Sequence, residues 1–164
     1  MSIITSEYVD VRTQALKLGC NAPTALALLP INFDTAKSKD ELVHEDSVLT
    51  IRKLFRQAGI TETKIEKDGE KIPYEQRKSF EWVAPTLFVS ASLLSQNANF
   101  ISIALNVISN YLTDYFKGIV SDKTVKIDIV VEQTEKKKSK RIQYEGSFEG
   151  LDELTQALKE IRNL

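Results

Sequence analysis

The sequence predicts an α+β protein, with a mixed or mainly antiparallel sheet of about three to five strands packed by helices. First, Val125, Ile127, Ile129 and Val131 alternate with other residues, which is typical of a half-buried strand. Second, residues 98–117 show helical periodicity and predict one long central helix. Third, the elements of the C-terminal half follow the order helix, strand, strand, helix.

The N-terminal region predicts a helix followed by a strand. Residues 6–18 place apolar side chains on one helical face, with Ser6 as the N-cap and Gly19 as a left-handed stop. The apolar run 25–29 lies between two prolines and is too short for a typical helix, so it predicts a buried strand.

A second helix is predicted over residues 47–58, which carry one apolar face and follow Asp46 as an N-cap. Residues 60–66 alternate weakly, and Asp68 and Gly69 form a dipeptide typical of a tight turn. A hairpin that returns along residues 71–74 is therefore expected.

Residues 85–94 fit two interpretations. They predict either a buried strand over 86–90 or a helix that begins near Pro85, and we favour helix for 90–94. If 86–90 is a strand, residues 86–132 form a right-handed βαβ unit, and the alternative fold class is α/β.

The helix predicted over residues 98–117 has an apolar arc of about 200°, twice the width that is usual for a surface helix. It must therefore be central, or a second subunit or a partner must cover one of its edges. The residues expected at that edge are Ile101, Leu105, Leu112 and Phe116.

The C-terminal region predicts a hairpin and a helix. The strand at 125–131 is expected to return along 141–145 after a basic loop. A final helix then follows, with a narrow apolar stripe made of Leu151, Leu154, Leu158 and Ile161.

Composition excludes several classes of protein. The 164 residues predict one domain, 1–164, and 22 basic against 23 acidic residues give a net charge of −1, which argues against a strongly basic nucleic-acid binder. One cysteine excludes internal disulfides. There is no secretory signal pattern, and the long apolar segment carries too many polar residues to span a membrane, so we expect a cytoplasmic protein.

An enzyme is the first alternative. The segment 40–46 contains the single histidine, and a carboxylate- or metal-dependent hydrolase site could use Asp40, Glu41, His44 and Asp46. A solvated acidic turn that leads into a helix cap explains the same residues. Cys20 follows a predicted helix C-terminus, whose carbonyl groups disfavour a thiolate, so we interpret it as a buried apolar residue.

A phosphate or nucleic-acid contact is the second alternative. It would use the basic loop, whose cations are Lys136, Lys137, Lys138, Lys140 and Arg141. No aromatic residue interrupts the run to stack on bases, and a solvated hairpin loop explains it as well.

The sequence thus favours a non-catalytic binding or assembly protein that self-associates, as a homodimer, or docks a protein partner through an apolar helix surface. No nucleotide-binding glycine motif is present, and no cofactor, metal or membrane is expected.

Overall fold

The computed structural model describes residues 2–76, 81–119, 123–133 and 138–162, with the backbone alone for the last four of these. The strands are β1 (Ser2–Tyr8), β2 (Leu26–Leu29), β3 (His44–Glu45), β4 (Tyr74–Glu75), β5 (Trp82–Val83), β6 (Thr86–Val89), β7 (Thr124–Glu132) and β8 (Ser139–Ser147). The α-helices are α1 (Val11–Lys17), α2 (Val48–Gln57), α3 (Ala91–Gln96), α4 (Phe100–Tyr115) and α5 (Leu151–Arg162).

The main sheet is mixed and has six strands, more than the predicted three to five. Its order is β1-β8-β7-β6-β2, with β5 also beside β7. The β1/β8, β7/β8 and β2/β6 pairs are antiparallel, whereas β5 and β6 both run parallel to β7. This arrangement confirms the predicted α+β class, and it includes the parallel β6–α4–β7 crossover of the alternative interpretation.

A one-residue bulge separates β5 from β6. Val83 is opposite Lys126, but Leu87 is opposite Ile129, so the β5–β6 segment contains one more residue than the stretch of β7 beside it. Pro85 lies in this interval and has no backbone N–H to donate. The interruption divides one sheet position into two short strands.

Helices and a long loop cover the two faces of the sheet. On one face, inward residues such as Ile127 and Ile129 of β7 pack with α2, α4 and α5. On the other face, Phe88 and Val130 pack with α1 and with Phe33 of the loop after β2. The sheet is therefore buried on both sides at its β6–β7 centre.

Several predicted elements are confirmed. The strand at 25–29 is β2, with all four of its residues buried, and the hairpin at 125–145 is the β7–β8 pair. The ambiguous segment 85–94 contains both predicted elements, because β6 ends at Val89 and Ser90 caps α3. The final helix is α5; the side chain of Ile161 lies outside the described residues.

The N-terminal helix prediction is wrong at its start. Residues 2–8 form the edge strand β1, and α1 begins at Val11. Its cap is Asp10 rather than Ser6, because the Asp10 carboxylate accepts the Thr13 N–H at 3.1 Å.

Two further local predictions are also wrong. The residue before α2 is Ser47, not Asp46, and its side chain makes no capping hydrogen bond. Gly69 does occupy a left-handed turn at φ 81°, but the chain continues to β4, which pairs in parallel with β3 instead of closing a hairpin.

The long-helix prediction is confirmed only in part. The helix exists as α4, but it is shorter than 98–117 and it covers one face of the sheet. Its outer side is exposed at Ile103 (42%) and Tyr115 (43%), so its buried arc is narrower than the apolar residues alone suggest.

Candidate functional site

A cleft of about 400 Å³ opens where the start of α2 faces the end of α4. Its lining residues come from the end of β3, the first turn of α2, β4, β5 and the last turns of α4. The apolar wall consists of Leu49, Tyr74, Trp82, Tyr111 and Tyr115. The carboxylates that line the cleft are Glu45, Asp46 and Glu81.

The aromatic wall contains a row of three rings. The Trp82 and Tyr111 ring centroids are 6.1 Å apart, and those of Tyr111 and Tyr115 are 5.9 Å apart. Trp82 is 5% exposed and anchors the row in the core, whereas Tyr115 and Tyr74 are 43% and 48% exposed. Burial, together with the neighbouring Tyr115, raises the pKa of Tyr111, so its phenol is neutral at physiological pH.

The side of the cleft formed by α2 is held in place by a short hydrogen bond. The Ser47 hydroxyl, at the start of α2, donates to the Val83 carbonyl at 2.6 Å. Val48 and Ile51 are buried in the core, whereas Leu49 is 51% exposed and lines the cleft. The start of α2 therefore presents an apolar side chain to water beside the aromatic row.

The charged groups that line the cleft are acidic. Glu45 is buried, and Glu81 pairs with Lys126 at 3.3 Å. No cation in the described part of the chain pairs with Asp46. The described lining residues include three carboxylates and no lysine, arginine or histidine.

A buried ion cluster lies behind this region and was not predicted. Arg52 of α2 donates from Nε to both Glu62 oxygens at 3.0 Å and from a terminal nitrogen to Glu66 at 3.0 and 3.2 Å. Burial opposes ionisation of Glu66, but His44 and Arg52 outweigh it and lower the pKa of Glu66 to about 2. The cluster attaches α2 to the segment that follows it.

His44 belongs to this cluster rather than to the cleft. It is 1% exposed, and its Nε2 lies 3.6 Å from Glu66, too far for a hydrogen bond. Successive residues of a strand point to opposite sides, so His44 faces the cluster while Glu45 lines the cleft. Neither ring nitrogen has a hydrogen-bond partner among the described residues.

The predicted hydrolase residues do not converge. Asp40 and Glu41 are exposed on a 3-10 turn, His44 is buried, and of these four residues Asp46 alone lines the cleft. Because the chain forms a turn and a strand here, the helical spacing that would bring carboxylates to His44 does not apply. The described residues contain no group of three potential ligands that could hold a metal ion.

The apolar edge predicted on the long helix is not exposed. Ile101, Leu105, Leu112 and Phe116 are between 0% and 6% exposed, because they pack into the core that the sheet, α2 and α5 share with α4. This chain itself covers more of the apolar face of the helix than the sequence pattern predicts. The last turn of α4 instead exposes Tyr115, which lines the cleft.

The basic loop is described only in part. Lys136 and Lys137 lie outside the described residues, Lys138 is exposed, and Lys140 is in β8 opposite β1. Arg141 does not belong to the loop: it also lies in β8, forms an ion pair with Asp128 and lies 5.8 Å from the Tyr8 ring centroid. The Arg141 side chain therefore makes its contacts within the sheet.

Cys20 is 3% exposed, and burial raises the pKa of its thiol, with Lys39 opposing the effect. A thiol of this kind is a poor nucleophile, which agrees with the interpretation of Cys20 as a buried apolar residue.

No helix among the described residues is long and apolar enough to cross a membrane. Comparisons with known protein families, with curated proteins and with solved structures found no match for this chain.

Proposed function

We propose that this protein is a non-catalytic binding protein that docks a segment of a protein partner in the cleft between α2 and α4. The observation that carries the proposal is the aromatic wall of the cleft: Trp82 anchors a row of rings that ends at the exposed Tyr115, and the exposed Leu49 and Tyr74 line the same cleft. Tyrosine and tryptophan are enriched among the residues that dominate binding energy at protein interfaces.

The physical argument is one of exposed amphipathic side chains. The cleft surface is mostly polar, and the exposed tyrosines Tyr74 and Tyr115 offer a ligand both a ring and a hydroxyl group. The rings need little reordering, because Trp82 is fixed in the core and Tyr111 is packed between Trp82 and Tyr115. A preorganised wall of this kind loses little entropy on binding.

A selection from a displayed library of random peptides tests the proposal. We expect enriched peptides to shift the indole N–H resonance of Trp82, which is the one tryptophan of the sequence. Tyr115→Ala should weaken their binding about tenfold or more, as for an aromatic residue that dominates an interface. Leu16→Ser is the matched control, because Leu16 is 65% exposed on α1 and does not line the cleft.

The proposal is wrong if no peptide is enriched, or if the enriched peptides bind equally well to the Tyr115→Ala protein. Binding that shifts other resonances but leaves Trp82 unchanged would also refute it.

Self-association is a second candidate, favoured by the edge strand β1. All seven β1 residues pair with β8, and no other described strand lies on the opposite side of β1. Unpaired backbone groups on such an edge can pair with a second strand, and Glu7 is the one acidic or basic residue of β1. Antiparallel pairing of two copies about Thr5 would place Glu7 opposite Ile3, and not opposite a second Glu7.

Sedimentation equilibrium tests this candidate. We expect a dimer that Ile4→Lys abolishes, because lysine on an edge strand disfavours edge-to-edge pairing. Leu16→Lys changes a similarly exposed residue outside β1 and should leave the dimer intact. A monomeric wild-type protein would remove this candidate.

The hydrolase and phosphate-contact alternatives are not favoured by any observation in the described residues.

A further inference from the structure

We infer that the segment docked in the cleft presents a lysine or arginine side chain, whose charged head meets Asp46 and whose aliphatic stem lies on the aromatic wall. This inference rests on the proposed docking function and names the chemistry of its ligand. It follows from the charge of the cleft together with its aromatic lining.

The Asp46 carboxylate favours a cation in the cleft. Asp46 lines the cleft and has no cationic partner in the described part of the chain, whereas Glu45 interacts with other groups. Glu81 already shares Lys126 with Glu145, at 3.3 and 3.8 Å. Asp46 is therefore the lining carboxylate to which we assign the charged head of the ligand.

The start of α2 does not make the cleft a site for anions. Unpaired N–H groups at a helix N-terminus carry about half a positive charge. Asp46 lies just before this helix, and its full negative charge outweighs the partial charge.

The aromatic wall suits the rest of such a side chain. Lysine and arginine place methylene groups behind the charge, and these cover apolar surface while the head remains polar. The faces of tyrosine and tryptophan also attract cations directly. A carboxylate beside exposed rings therefore matches both parts of one long basic side chain, whereas a purely apolar ligand would bury Asp46 without a partner.

The test uses four pentapeptides, acetyl-Gly-Leu-X-Leu-Gly-amide with X as Arg, Lys, Gln or Glu, titrated into the full chain. The measurement is the shift of the single indole N–H resonance, that of Trp82. We expect the Arg and Lys peptides to bind about tenfold more tightly than the Gln peptide, as for a charge-assisted hydrogen bond, and the Glu peptide to bind most weakly.

A substitution in the protein then identifies the carboxylate. Asp46→Asn should reduce the affinity for the Arg peptide to that for the Gln peptide and leave the Gln peptide unchanged. Asp40→Asn is the matched control, because Asp40 is exposed and does not line the cleft. It removes the same charge from the chain and should change neither affinity.

The inference is overturned if the Gln peptide binds as tightly as the Arg peptide, or if Asp46→Asn and Asp40→Asn have equal effects. In either case a shifted indole resonance would still support docking in the cleft. If none of the four peptides shifts the resonance, the inference also fails, and the selection from random peptides decides separately whether the cleft docks a segment of other chemistry.

Discussion

Replacement of Arg52 by methionine tests whether the buried ion cluster stabilises the fold. The side chains of Arg52, Glu62 and Glu66 are 13%, 11% and 8% exposed, so removal of the cation leaves two nearly buried carboxylates without it. Methionine keeps much of the apolar stem of arginine. The change in stability therefore reports the lost charge and hydrogen bonds rather than a cavity.

The magnitude follows from the pKa of Glu66, which is lowered from 4.5 to about 2. At about 1.4 kcal/mol per pKa unit, the ionised form of Glu66 gains roughly 3 kcal/mol in the folded state, with His44 and Arg52 as the sources. Arg52 is one of these two sources, and it also pairs with Glu62. Because the cluster is partly exposed, we expect Arg52→Met to lower the free energy of unfolding by about 1.5–3 kcal/mol at pH 7, the range for hydrogen bonds to charged groups.

The assay is urea denaturation at several pH values from neutral to mildly acidic. In the wild-type protein the folded pKa of Glu66 is depressed, so its stabilising contribution is present above pH 4.5 and is lost as the pH falls toward about 2. In the variant, burial of Glu66 without Arg52 favours its protonated carboxyl group. Acid therefore reduces the destabilisation that the substitution causes. The stability difference between the two proteins should therefore shrink as the pH is lowered.

Two controls make the test specific. Arg56→Met removes an exposed arginine from the same helix and should change the free energy of unfolding by less than about 0.5 kcal/mol. The triple variant Arg52→Met, Glu62→Gln, Glu66→Gln removes the buried charges together and should recover part of the loss. Equal effects of Arg52→Met and Arg56→Met, or a difference that does not change with pH, would refute the reasoning.

Three further predictions concern single residues. Tyr144→Phe should lower the free energy of unfolding by about 1 kcal/mol in urea denaturation, because the buried phenol donates to the Ser147 carbonyl at 2.6 Å; an unchanged stability would contradict a role for this bond. Cys20, at 3% exposure, should react with a thiol reagent much more slowly in the native protein than in urea, and equal rates would show that the site opens readily. Gly59→Ala should lower the free energy of unfolding by about 1 kcal/mol, because φ is 78° at this position. No atom lies within 4 Å of an added Cβ, so the cost comes from the backbone alone, and a stabilised variant would disprove this argument.

The elements with strong local patterns could be predicted, and the N-terminal edge strand could not. The alternation at 125–131 and the apolar stripe of α5 each follow from one short segment. Residues 2–8 carry no such pattern, since most of them are exposed. Their strand conformation depends on pairing with β8, which is far away in the sequence, and local periodicity contains no information about that partner.

The candidate cleft could not be predicted from the sequence, for a related reason. Tyr111 and Tyr115 fall on the apolar arc of the long helix, where they resemble core residues, and nothing in the sequence distinguishes the exposed Tyr115 from the buried Leu112. The position of Trp82 beside this helix depends on the pairing of β5 with β7. The sequence does indicate Asp46 as a candidate site residue, but it groups Asp46 with Asp40, Glu41 and His44. None of these three residues lines the cleft.

Helix α2 connects the ion cluster with the cleft. Its first turn is fixed to β5 by the bond from Ser47 to Val83, and its middle is fixed to the following segment by Arg52. Leu49 lies between these two attachments and lines the cleft. Because both attachments hold α2, the wall that it contributes is in place before a ligand arrives, and the buried cluster contributes to preorganisation as well as to stability. Stability and ligand affinity should then fall together in Arg52→Met, whereas Arg56→Met should leave both unchanged.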